Sequence, residues 1–135
     1  MPIPFGFSVG DFITLISLAI KICQALDESS DILKEYQDVR LELQSFRHAV
    51  EGLENAVSRG YAISERSAEK LHDILRGCTQ ALNEFQDFLS SYKEMKRLSK
   101  KISWVIFGQS KRKTFRSRIQ ANMVIIGLIQ QEMQR

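Results

Sequence analysis

The sequence predicts an all-α fold, a four- to five-helix bundle with a hydrophobic N-terminal helix, and three observations carry that expectation. Pro2 and Pro4 are the only prolines, so nothing after the fourth residue removes a backbone donor or fixes φ against a helix. Apolar residues recur at alternating steps of three and four through two long segments, the spacing that lays side chains on one helix face. With 135 residues, 44% of them apolar, the chain falls in the range of one domain with a core of its own.

The first helix is expected to open at Ser8-Val9-Gly10-Asp11. There a serine hydroxyl and a carboxylate three residues on can satisfy orphan N–H groups as a capping box. Phe12, Ile13, Leu15, Ile16, Leu18, Ala19, Ile20, Ile22, Cys23, Ala25 and Leu26 follow, relieved by Thr14, Ser17, Lys21 and Gln24. Such a segment is apolar around most of its circumference and wants burial on more than one side. It is shorter than the ~20 residues a bilayer span requires and Lys21 interrupts it, which favours the centre of a bundle over a permanent membrane span. Reversible insertion stays open, because a bundle can hide such a helix and release it later.

A second helix is expected along the stripe Ile32, Tyr36, Val39, Leu43, Phe46, Val50, Leu53, Val57, closed at Arg59-Gly60-Tyr61 with Gly60 suited to a left-handed terminal residue. A third follows Ser64, a candidate N-cap, along Ala68, Leu71, Leu75, Cys78, Leu82, Phe85, Leu89, Tyr92. Joined by a short loop, these two are expected to pack as an antiparallel hairpin. Gly52 and Gly77 lie inside them at about 1 kcal/mol each relative to alanine, and a close helix approach is one compensation.

Beyond residue 93 the chain changes character. Residues 1–93 hold nine Lys/Arg against fourteen Asp/Glu, net −5, and residues 94–135 hold ten against two, net +8. That polarity can attract anionic lipid, nucleic acid or an acidic protein surface. Lys96, Arg97, Lys100 and Lys101 precede an apolar cluster around Trp104, and Gly108-Gln109-Ser110 reads as a break with Ser110 a candidate cap. Lys111, Arg112, Lys113, Arg116 and Arg118 then lead into a last helix with Phe115, Ile119, Met123, Val124, Ile126, Leu128, Ile129 and Met133 as its apolar residues. A basic start opposes the helix dipole, so these cations either serve a ligand or simply line a solvated turn.

No chemistry-bearing constellation emerges. Cys23 and Cys78 lack the close spacing of metal knuckles or redox dithiols and read as buried thiols, a disulfide being the lesser alternative. His48 and His72 fall off the apolar stripes with no partner at i+4, and the carboxylates spread over polar faces. No nucleophile elbow, phosphate loop or dinucleotide fingerprint is present, so no enzyme, cofactor or metal is expected. Nucleic acid is disfavoured as a ligand because a basic patch without a recognised reading element is a weak signal. The same cations beside Trp104 suit an anionic bilayer surface, at about 1 kcal/mol per Lys/Arg near it.

The run Phe5-Gly6-Phe7-Ser8-Val9-Gly10-Asp11-Phe12-Ile13 resembles the opening of the HeLo and HeLo-like group, the N-terminal helical domains of large fungal STAND-type and related proteins. The likeness returns at Lys101-Ile102-Ser103-Trp104-Val105-Ile106-Phe107, similar to the basic and aromatic segment before the last helix of that group. In between it extends as pattern more than identity. The resemblance implies a non-enzymatic effector of fungal regulated cell death or incompatibility-like immunity, which oligomerises and associates with membranes. Residues 1–135 would then be a single domain, the N-terminal part of a longer protein, cytoplasmic and recruited to the plasma membrane when active.

Carried over by position, the insertion-competent residues are Phe5, Phe7, Phe12, Ile13, Leu15, Ile16, Leu18, Ile20 and Ile22. The anionic-surface candidates are Lys96, Arg97, Lys100, Lys101, Trp104, Lys111, Arg112, Lys113, Arg116 and Arg118. The alternative is a helical adaptor that self-associates or docks partner helical domains with no membrane activity.

Overall fold

The computed structural model describes residues 9–28, 30–97 and 101–134, and the side chains of 10–28, 36–91 and 108–134. Four helices account for nearly all of them: α1 (Val9–Asp27), α2 (Ser30–Ser58), α3 (Glu65–Arg97) and α4 (Lys101–Met133). No strand occurs among the described residues, and the chain is an all-α bundle.

The helix ends follow local chemistry. Gly60 closes α2 with φ +82°. Its N–H donates to Val57 O at 3.0 Å and Tyr61 N–H to Ala56 O at 3.2 Å, the paired bonds of a Schellman terminus. Ser64 caps α3, its hydroxyl accepting from Ser67 N–H at 3.1 Å. The capping box expected at the start of α1 involves Ser8, which lies outside the described residues.

Directions follow from the cross-helix pairs. Arg116 and Gln120 of α4 meet Asp38 and Glu42 of α2, and Gly52 faces Gln130, so α2 and α4 run parallel. Ser64 and Ser67 meet Glu132 while Glu84 meets Arg118, so α3 and α4 run antiparallel. Around the bundle the order is α1, α2, α4, α3, with α1 and α4, and α2 and α3, facing each other across the centre.

That order corrects the hairpin expected of α2 and α3, which make no close backbone approach among the described residues. A stripe aimed at the bundle centre reads the same in a neighbouring or a diagonal helix, so periodicity could not separate the two. The connection over 59–64 reaches about 20 Å when extended. A diagonal of about 14 Å between helices packed 8–10 Å apart is within that reach.

A second correction concerns Gly108-Gln109-Ser110. It is no break, because α4 continues unbroken from Lys101 to Met133. Gly108 is buried, and a Cβ there would fall 2.6 Å from the Tyr36 hydroxyl and 3.4 Å from Phe88 Cζ. The glycine admits a close helix crossing, which offsets its cost of about 1 kcal/mol in a helix interior. Gly52 does the same more gently against Gln130 at 3.0 Å, whereas nothing lies within 4 Å at Gly77.

At 1.5 Å per residue α1 is about 28 Å long and α3 and α4 about 50 Å. Asp27 at the end of α1 pairs with Arg40 at 2.5 Å, so α2 reaches further in that direction than α1 does. Tyr36, Phe85, Phe88 and Phe115 fill the core near this level. Phe85 and Phe115 stack at 4.3 Å between centroids, and Tyr36 meets Phe85 edge-on at 6.1 Å. Tyr36 itself has non-helical backbone angles, φ −114° and ψ 24°, and kinks α2. Downstream of the kink Asp38 accepts from Val39 N–H at 2.8 Å, a local cap for a donor near the distortion.

Phe12, Leu15, Ala19, Ile22 and Leu26 of α1 are fully buried between α2 and α3. The expected burial on more than one side is incomplete. Ile16, Leu18 and Ile20 are half-buried, and Ile13 is 57% exposed. With two neighbouring helices and the diagonal one too distant to reach around, α1 has an outer face that no described element covers.

Candidate interaction surface

The charge polarity of the sequence becomes a specific seam in three dimensions. Arg116 Nη1 lies 2.9 Å from Asp38 and Nη2 2.5 Å from Glu42, and Arg112 Nε lies 3.9 Å from Asp38. Gln120 donates to the same Glu42 oxygen at 2.8 Å. The hydrogen bond to Glu42 is the largest influence holding the Arg116 guanidinium above its ordinary pKa. Glu42 is mostly enclosed, and its second oxygen is buried with no partner. Arg112 also sits 5.4 Å from the centroid of the Tyr36 ring, a cation over an aromatic face. On the other edge Arg118 pairs with Glu84 at 3.1 Å.

Three of the ten anionic-surface candidates, Arg112, Arg116 and Arg118, therefore clamp α4 to α2 and α3 from within the molecule. Lys111 and Lys113 are exposed. The backbones of Lys96, Arg97, Lys101 and Trp104 are helical, but their side chains lie outside the described set, as does Lys100 entirely. Of the insertion candidates, Phe5 and Phe7 lie outside the described residues. Phe12, Leu15 and Ile22 are core, and Ile13 is the one large apolar side chain among the described residues of α1 that is mainly exposed. Among the described residues no helix is long and apolar enough to cross a membrane.

Surface depressions are modest. One of about 380 Å³ runs between α3 and α4 over Phe85 and Phe88, with Glu84 and Asp87 on one rim and Lys111 and Arg118 on the other. Its charges balance, so it selects no sign of ligand. Another, of about 470 Å³, lies on α4 beside Arg112, Lys113 and Arg116. No group of three or more potential metal ligands converges among the described residues. Cys23 and Cys78 are free thiols, half-buried and buried. Desolvation pushes Cys78 up to about 12 and raises Cys23, so both are protonated at neutral pH and poor nucleophiles.

What stands out is an apolar ridge on the outside of α4. Val124 is 64% exposed and Leu128 59%, the highest values among the exposed large apolar side chains described. One turn earlier Ala121 is also exposed, and Ser117 and Gln131 extend the ridge without charge. Leu41 of α2, at 51%, and Ile13 are further exposed aliphatics. In the sequence Val124 and Leu128 count among the apolar residues of the last helix, with no outer face separated from an inner one. The available signal was angular: Val124, Ile125, Ile126, Leu128 and Ile129 spread over about 200° of the helix circumference, more than the one side a bundle buries.

The fold and this surface define a class, a four-helix bundle with an apolar outer ridge on its last helix. No family model matches the chain, and no solved structure matches it.

Proposed function

We propose that this chain is a non-enzymatic helical interaction module that works by docking helices against exposed apolar surface. The observation that carries this reading is the α4 ridge, where two large aliphatic side chains one turn apart are more than half exposed. With roughly 60% of each side chain still exposed, covering them would release about 1–2 kcal/mol apiece to a partner. Selection of peptides from a displayed library of random amphipathic helices tests it. The wild-type chain is expected to enrich a helical motif that the Val124→Lys/Leu128→Lys variant does not bind. Failure to enrich any helix, or equal binding to both proteins, would refute the reading.

The second reading is the effector of fungal regulated cell death or incompatibility-like immunity that the opening sequence resembles. In it a hydrophobic N-terminal helix leaves the bundle on oligomerisation, associates with an anionic membrane and is recruited there from the cytoplasm. Its support is the placement of α1: the helix is held by a single buried stripe between two neighbours, and Ile13 already faces outward. Against it weigh the internal ion pairs of Arg112, Arg116 and Arg118, which oblige an anionic surface to compete with Asp38, Glu42 and Glu84. Leakage of vesicles containing anionic lipid, driven by forced oligomers of the chain and abolished by Leu15→Glu, would support it. No leakage from such oligomers would remove it.

A further inference from the structure

Resting on the association reading, we propose that the partner of the α4 ridge is a second copy of this chain, packed antiparallel, α4 against α4. The first ground is composition. From Ser117 through Ala121, Val124 and Leu128 to Gln131 the exposed ridge carries no charge, so covering it with a like ridge strands no ion. Ala121 is small enough to let the two axes approach.

The second ground is charge complementarity along one edge. Arg118 and Glu132 both lie on the side of α4 that faces α3, since Arg118 pairs with Glu84 and Glu132 accepts from Ser64 and Ser67. A two-fold axis perpendicular to α4, passing midway between Val124 and Leu128, keeps the two α3-facing edges on one side while reversing direction. It sets Val124 against Leu128 of the second copy and Ala121 against its Gln131. Arg118 then lies about 3 Å along the axis from Glu132 of the second copy, by the 1.5 Å rise per residue. A parallel arrangement about a two-fold along α4 instead carries the two α3-facing edges to opposite sides of the interface, where Arg118 meets no Glu132 of the second copy. The ridge thus carries its own complement, as an isologous contact requires.

Neither residue must abandon its present role to make the contact. Arg118 has five donors and is 39% exposed, and Glu132 is exposed at the surface. Only two large side chains form the ridge, which is little beside the ~800 Å² per partner of a standard stable interface, so the dimer should be weak.

Sedimentation equilibrium of the chain from about 1 µM to about 1 mM tests the proposal. A monomer–dimer equilibrium is expected, weakened about tenfold by Val124→Lys or by Leu128→Lys, with helical circular dichroism unchanged. Arg118→Glu and Glu132→Arg should each weaken it, and their combination should restore it. A wild-type chain that stays monomeric throughout, or a dimer indifferent to Val124→Lys, would overturn the inference. Loss of both charge variants without mutual rescue would overturn the antiparallel register. A monomeric chain that still selects helical peptides on the ridge would sink the second copy while leaving the association reading intact, so the two failures are distinguishable.

Discussion

Alanine at Gly108 would drive a methyl group to 2.6 Å from the Tyr36 hydroxyl and 3.4 Å from Phe88 Cζ, well inside ordinary contact for the first. The Tyr36 ring cannot swing aside cheaply. It is 3% exposed, wedged against Phe85 and Phe88 at about 6 Å between centroids, with Arg112 over its face. Overpacking of this kind costs about 1–3 kcal/mol, and the gain in helix propensity returns about 1 kcal/mol, so Gly108→Ala should destabilise by about 1 kcal/mol. Tyr36→Phe removes the offending oxygen and leaves the ring carbon 3.9 Å from the new methyl, an ordinary contact. In that background Gly108→Ala should stabilise by up to about 1 kcal/mol, a reversal of sign. Urea denaturation followed at 222 nm for the wild type, both single variants and the double variant closes the cycle. If alanine at 108 stabilises the Tyr36 protein, α4 does not press on α2 there, and the close crossing is wrong.

Three further outcomes follow from the same packing. Arg116→Ala leaves Glu42, enclosed and with one oxygen already unpartnered, without its guanidinium, and should cost about 1–3 kcal/mol. Urea midpoints should show that loss shrinking at high salt, as screening reduces what the pair contributes. Gly77→Ala should stabilise by about 0.5–1 kcal/mol, since nothing lies within 4 Å of the position, and a lower midpoint would contradict the open space seen there. Cys78, raised from 9.0 to about 12 by burial, contributes stability that is complete below pH 9 and is lost as pH rises towards 12. Between pH 8 and pH 10 the wild type should therefore lose about 1.4 kcal/mol more than Cys78→Ala, and an equal loss in both proteins would refute the buried thiol.

The apolar stripes through Leu43, Phe46 and Leu53 and through Leu71, Leu82 and Phe85 were legible because a core-facing stripe has one period and no competing reading. So were the ends at Gly60 and Ser64, whose chemistry is local. The neighbour relation of α2 and α3 was not, since period carries no information on which helix lies across the core. Gly108 misled for a related reason: glycine serves both as a terminator and as a crossing point, and only the Tyr36 hydroxyl from a distant segment distinguishes the two. The cations of α4 could be counted but not assigned. Their pairing with Asp38, Glu42 and Glu84 depends on that same order of helices. Val124 and Leu128 were hidden among the core residues of their helix for want of knowing which side faced inward.

Methyl relaxation by a soluble paramagnetic probe measures the bareness of that outward side directly. In dilute solution the methyl groups of Val124 and Leu128 should relax strongly while those of Ile119, Ile126 and Ile129 stay silent. Raising the protein concentration should then quench the effect along the ridge, at Ala121 as at Val124 and Leu128. If these two were already shielded in the dilute chain, or if Ile126 responded as strongly as they did, α4 would present a different face and the interaction surface described for it would not exist.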